Sequence, residues 1–197
     1  MRLLFVQAHP VPESFCAALC RAAMDEAGAR GHAVRLIDLH ACGFDPVLRA
    51  AEHRSYADPA QLPADLAPHV EALRWAEGVI FVYPTWWQAQ PAILKGWLDR
   101  VWRPGVAFSA PPGGGLRPGL PGLRLIGAIT TLGAPWWVWA LLMGAPGRKM
   151  LLRGLRACTA PRTRSFWLAL HDIDTRPEAD RRRYLDRVRA RIARIPV

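Results

Sequence analysis

Short apolar runs alternate along this chain with longer segments whose apolar residues recur at helical spacing. Leu3-Leu4-Phe5-Val6-Gln7-Ala8 reads as a buried strand. Ser14 then precedes a helix over Phe15–Ala29, with Phe15, Ala18, Leu19, Ala22 and Ala23 on one face and Gly28 and Gly31 as stop signals. Ala33–Leu39 is a second strand, followed by a Pro-rich connection from Cys42 to Pro63 and a helical stretch over Val70–Glu77 with Leu66–His69 as its lead-in. Gly78–Tyr83 is continuously apolar and is stopped by Pro84, which predicts a central strand buried on both faces. Pro91 at a first helical position opens a helix over Ala92–Trp102, with Ile93, Leu94, Trp97, Leu98 and Val101 on its apolar face. The Pro- and Gly-rich run from Pro111 to Gly122 predicts a mobile loop without regular structure. Leu123–Thr131 and Ser165–Leu170 are the fourth and fifth strands, and Trp136–Met143, Met150–Ala157 and Arg176–Ile195 the remaining helices. This alternation predicts one α/β domain over residues 1–197, a doubly wound five-stranded parallel sheet with helices on both faces.

In open parallel sheets ligands bind beyond the carboxyl ends of the strands, so three loops carry the candidate chemistry. After strand 1, His9 to Ser14 lead into a helix N-terminus, where free N–H groups and the positive dipole end favour phosphate; Ser14 and His9 add two donors. A plain serine cap would read the same way. After strand 3 come Pro84, Thr85, Trp86, Trp87 and Gln88. Two adjacent tryptophans in a connection call for an aromatic or apolar partner, either the core or a flat conjugated ring. After strand 4, Thr130, Thr131 and Gly133 offer hydroxyl and backbone groups to a polar ring edge. Together the loops suit an aromatic cofactor that carries phosphate. No G-x-G-x-x-G follows strand 1, and no phosphate-loop motif of the type G-x-x-x-x-G-K-[ST] occurs.

Charge adds one asymmetry. The net charge is +10, and residues 1–100 carry 9 basic and 11 acidic side chains against 17 and 5 in the rest. Arginine supplies 24 of the 26 basic residues, as a GC-rich coding sequence also would. The arginines of the last helix are interleaved with Tyr184 alone among aromatics and belong to no reader motif, so a solvated helix is expected and no nucleic-acid partner. The four cysteines show no C-x-x-C pair or metal-ligand rhythm, so reduced thiols, a cytoplasmic location and no metal are expected. Leu125–Gly147 carries no charge over the length of a membrane span, but Thr130, Thr131, Gly133 and Pro135 interrupt it where a strand-to-helix turn falls.

Three motifs carry a family resemblance: Ala8-His9-Pro10 with Ser14-Phe15, Pro91-Ala92-Ile93-Leu94-Lys95-Gly96-Trp97 with Asp99-Arg100-Val101, and Thr130-Thr131. The chain resembles the flavodoxin-like NAD(P)H:quinone oxidoreductases, which include DT-diaphorase type enzymes, modulators of drug activity and ancillary oxidoreductases of potassium-efflux systems. The resemblance implies strand order 2-1-3-4-5, bound FAD or FMN, NAD(P)H as electron donor, a quinone-like acceptor and a homodimer. His9, Ser14 and Phe15 would lie against the phosphate and ribityl arm. Pro84, Thr85, Trp86, Trp87 and Gln88 would line the isoalloxazine, with Thr130, Thr131 and Gly133 on its polar edge. The sequence departs from the pattern: Cys16 replaces a common Asn, Leu132 a common Gly, and the Tyr and His that assist hydride transfer in DT-diaphorases give way to Trp136-Trp137-Val138-Trp139 and Gly144. A second function implied by the potassium-efflux members is an ancillary subunit peripheral to the membrane, docked on a transporter through Trp136–Met143 and the cations Arg148, Lys149, Arg153 and Arg156.

Overall fold

The computed structural model describes residues 1–111 and 113–197. Five strands form one parallel sheet: β1 (Arg2–Gln7), β2 (Ala33–Asp38), β3 (Gly78–Pro84), β4 (Leu125–Thr131) and β5 (Arg164–Leu170). Their spatial order is β2-β1-β3-β4-β5, the expected 2-1-3-4-5. β3 and β4 are buried along their whole length, as their unbroken apolar runs require. β2, at an edge, has no buried residue and is exposed or half-buried throughout.

Side chains on the strands divide the core in two. Leu4, Val6, Val79, Phe81, Tyr83, Ile126 and Ala128 pack beneath helices α2 (Ala67–Trp75) and α3 (Ala92–Val101). On the other face Leu3, Phe5, Ile80, Val82, Leu125, Ile129, Phe166 and Leu168 meet α1 (Phe15–Ala29) and α4 (Glu178–Ile192). The arginine-rich α4 buries only Tyr184, Val188 and Ile192; ion pairs such as Arg182–Glu178 and Arg189–Asp186 lie on its exposed side.

Several boundaries differ from the sequence reading for identifiable reasons. α2 starts at Ala67 because Pro68 fits its first turn, and Pro91 is the N-cap of α3 rather than its first residue. The Cys42–Pro63 connection contains a short helix over Ala50–Arg54. It is tied to α3 by the buried Arg100, whose Nε reaches Glu52 Oε2 at 2.9 Å, Nη2 reaches Asp65 Oδ2 at 2.8 Å, and Nη1 donates to the Asp45 carbonyl at 2.7 Å. Gly96 permits this approach, since a Cβ there would lie 2.2 Å from the Pro46 carbonyl oxygen. The Pro111–Gly122 run, whose Pro112 lies outside the described residues, is not wholly irregular: Arg117–Pro118 pairs antiparallel with Phe108–Ser109. The helices expected over Trp136–Met143 and Met150–Ala157 contain wide π-helical turns at Val138–Leu142 and Met150–Gly154. No helix among the described residues is long and apolar enough to cross a membrane; the uncharged Leu125–Gly147 run is β4, a turn and the first of these π segments.

Candidate functional site

The carboxyl ends of β1, β3 and β4 are brought level by their register, with Gln7 opposite Val82 and Pro84 opposite Thr131. The Ala8 amide donates to the Val82 carbonyl at 3.0 Å and the Thr85 amide to the Thr131 carbonyl at 2.7 Å, which fixes where the three loops leave the sheet. Beyond them lies a cavity of ≈ 390 Å³ lined by Thr85, Trp86, Trp87, Gln88, Leu132, Gly133 and Ala134.

The loop after β3 is a tight turn held by reciprocal bonds, Trp86 amide to Ala89 carbonyl and Ala89 amide to Trp86 carbonyl, both 3.1 Å. At its tip Trp87 and Gln88 adopt φ of 49° and 67°, the left-handed region that costs a residue with a Cβ about 1–2 kcal/mol. Such strain persists only where the surroundings hold it. Gly147 does so from outside, its amide reaching the Gln88 carbonyl at 3.3 Å and its carbonyl accepting from Gln90 Nε2 at 3.0 Å. The turn leaves the Trp87 indole 99% exposed and Trp86 47% exposed, so neither is a core residue. Gln88 Oε1 is buried and has no hydrogen-bond partner among the described residues.

Ser14 caps α1, its Oγ accepting from the Ala17 amide at 3.1 Å, which leaves the hydroxyl proton and the first helical amides for an anion. His9 adjoins both loops: its ring centroid lies 6.4 Å from that of Trp86, and its Nδ1 lies 3.0 Å from the Val11 amide nitrogen and 3.2 Å from the Val11 carbonyl oxygen. Nε2 makes no hydrogen bond within the described residues. Burial, opposed by the Val11 backbone, holds the His9 imidazole below its ordinary pKa.

His32, His69 and His171 are shifted the same way, each chiefly by burial. Groups held neutral in the fold contribute stability that is present above their unfolded pKa of about 6.5 and is lost as pH falls below it, because the unfolded chain then binds more protons. The melting temperature is therefore expected to fall between pH 7.5 and 5.5, and a flat profile across that window would contradict the four shifts.

The candidate residues thus separate. Thr85, Trp86, Trp87, Gln88 and Gly133 line the cavity, while His9 and Ser14 stand beside it on the β1 loop. Phe15 packs against the core cluster under α1. Pro84 is buried as the last residue of β3, and Thr131 engages the Thr85 amide through its carbonyl. Thr130 does not line the cavity: it is fully buried, its Oγ1 lies 2.8 Å from Thr85 Oγ1, and its carbonyl accepts from the Tyr184 hydroxyl at 3.0 Å. Leu132 and Ala134 line the cavity without having been singled out for it. Their position on either side of Gly133 was the available signal.

A family model described as a flavodoxin-like fold matches residues 1–191, and the chain belongs to this family. Among curated relatives, the human ribosyldihydronicotinamide dehydrogenase [quinone] is 34% identical over 129 residues, covering 56% of this chain and 54% of that protein. The chain thus spans about half the length of the curated relatives it matches. The structure of Smu.1420 from Streptococcus mutans is 29% identical with a TM-score of 0.81, covering 99% of this chain and 100% of that one. An NAD(P)H:quinone oxidoreductase from Methanothermobacter marburgensis has a TM-score of 0.84 at 23% identity, covering 100% and 99%, and shares the fold.

Proposed function

We propose that the chain is a flavin-dependent NAD(P)H oxidoreductase that reduces quinones or similar acceptors, with residues 1–197 acting as one flavin-binding unit. The observation that carries this reading is the cavity walled by Trp86 and Trp87 beside the capped N-terminus of α1, an aromatic slot adjoining an anion cradle. The quinone-reducing activity named for the human relative agrees with it. Bound FAD or FMN supplies hydride acceptance from NAD(P)H and hydride donation to the acceptor, in a ping-pong cycle at one face.

The chain's own residues bind and shield. The Ser14 hydroxyl, the first amides of α1 and the His9 ring would hold phosphate. The orphaned Gln88 Oε1 would accept an N–H from the ring, a bond that offsets the cost of burying it alone. The two indoles exclude water from one side, and Leu132, Gly133 and Ala134 close the other. The Trp87 and Gln88 amides make no backbone hydrogen bond among the described residues, so they are free to balance negative charge on the ring. No Tyr or His lines the cavity among the described residues.

The exposed face of the Trp136–Met143 segment would complete the site in a homodimer. Trp136, Trp137, Leu141, Leu142 and Met143 are 48–72% exposed, whereas Trp139 anchors the segment by stacking on Trp167 at 5.4 Å. The test is light scattering with a quinone-coupled NAD(P)H assay on detergent-free protein. A dimer that turns over unaided is expected; a monomer active only with a membrane partner would favour the ancillary-subunit reading instead. Ser14→Ala should weaken flavin binding by about 1 kcal/mol through the lost hydroxyl. Flavin fluorescence quenching measures this, and an unchanged dissociation constant would remove phosphate from that loop.

A further inference from the structure

A second cavity of ≈ 410 Å³ opens at the other end of the sheet. It lies where β4 and β5 begin, roughly 20 Å along the strands from the first at 3.3 Å per residue. Arg124, Arg162, Arg164, Arg191 and Arg194 line it, over a floor that includes the buried Leu125 and Ile195. Glu77 engages Arg124 and Arg2, but Arg162, Arg164, Arg191 and Arg194 form no ion pair among the described residues. Arg191 is held in place by stacking, its guanidinium carbon 4.4 Å from the Phe166 ring centroid. Burial and then the neighbouring Arg194 charge lower its pKa. The carbonyl end of α4 offsets only part of that charge.

Arg182 and Arg189 meet carboxylates along their own helix, whereas these four converge on one concavity without one. Guanidinium groups recognise carboxylate and phosphate oxygens through paired N–H donors, and the apolar floor adds an area that water covers poorly.

We propose that this cavity is a binding site for an amphipathic organic anion, a molecule with a carboxylate or phosphate head and an apolar body. The head meets the Arg162, Arg164 and Arg194 guanidinium groups, and the body lies on Leu125 and Ile195. It is separate from the candidate flavin site and does not depend on that reading.

The test is isothermal titration of the full chain with decanoate, decyl phosphate, inorganic phosphate and decyltrimethylammonium, each below its micelle-forming concentration. Saturable binding of decanoate or decyl phosphate is expected, and the tighter of the two identifies the preferred head. Arg162 and Arg194 are exposed, so Arg162→Gln/Arg194→Gln should keep the melting temperature and weaken binding by at least about tenfold, two charged hydrogen bonds being lost. Arg164→Gln is the second variant, with a loss in the same direction. Equal binding of inorganic and decyl phosphate, binding of the cationic probe, unchanged affinity in the folded variants, or no binding at all would each overturn the proposal.

Discussion

Arg100→Ala is expected to lower the unfolding free energy by about 3–5 kcal/mol in urea denaturation, the range for removing one partner of a buried ion pair. Arg100 is 6% exposed and holds Glu52, a half-buried residue whose side chain is 8% exposed, together with Asp65 and the Asp45 carbonyl. Its loss leaves the Glu52 carboxylate with Arg103 at 3.6 Å as its remaining cation. The same bonds fasten the Cys42–Pro63 connection across α3, so the effect concerns how the connection closes the core. Replacing Glu52 and Arg100 together by leucines should recover part of the loss, because no charge is then stranded. A single-variant loss below about 1 kcal/mol, the range of an exposed pair, would show that the network is solvated.

The second large effect separates two tryptophans. Trp97→Ala should cost about 3–5 kcal/mol, since Trp97 is fully buried, packs edge-on to Phe81 at 6.1 Å and donates from Nε1 to His69 Nδ1 at 3.3 Å. Trp87→Ala should leave the apoprotein within about 0.5 kcal/mol of the parent, as exposed substitutions do. Flavin affinity should nevertheless fall, by about two- to twelvefold if the indole stacks with the typical 0.5–1.5 kcal/mol of an aromatic pair. Thermal melts of both apoproteins and flavin titration of Trp87→Ala read the contrast. A large drop in apoprotein stability for Trp87→Ala would refute the exposed-wall reading.

The strands were legible because burial on both faces leaves an uninterrupted apolar run, as in Val79–Tyr83, and the helices because one apolar stripe suffices. Ser14 was legible as a cap from its place before an apolar-periodic stretch. The orientation of Thr130 was not: two adjacent threonines at a strand end look alike in sequence, and only the closeness of Thr85 and Tyr184 commits the first to the interior. The pair Trp86-Trp87 called for a partner without revealing that the turn would lift both indoles clear of the core, because that follows from left-handed φ values at residues that are neither Gly nor Asn. The short helix at Ala50–Arg54 was hidden for a related reason. It has no buried residue of its own, so no periodic apolar signal exists to mark it.

The measurement closest to the central claim is titration of the apoprotein with FMN and with FAD, followed by absorption of the purified complex before and after NAD(P)H is added. The account predicts saturable binding of at least one of them, the bands of oxidised flavin in the complex, and bleaching of those bands by the nicotinamide that return when a quinone is supplied. An apoprotein with an intact melting transition that binds neither flavin would contradict it.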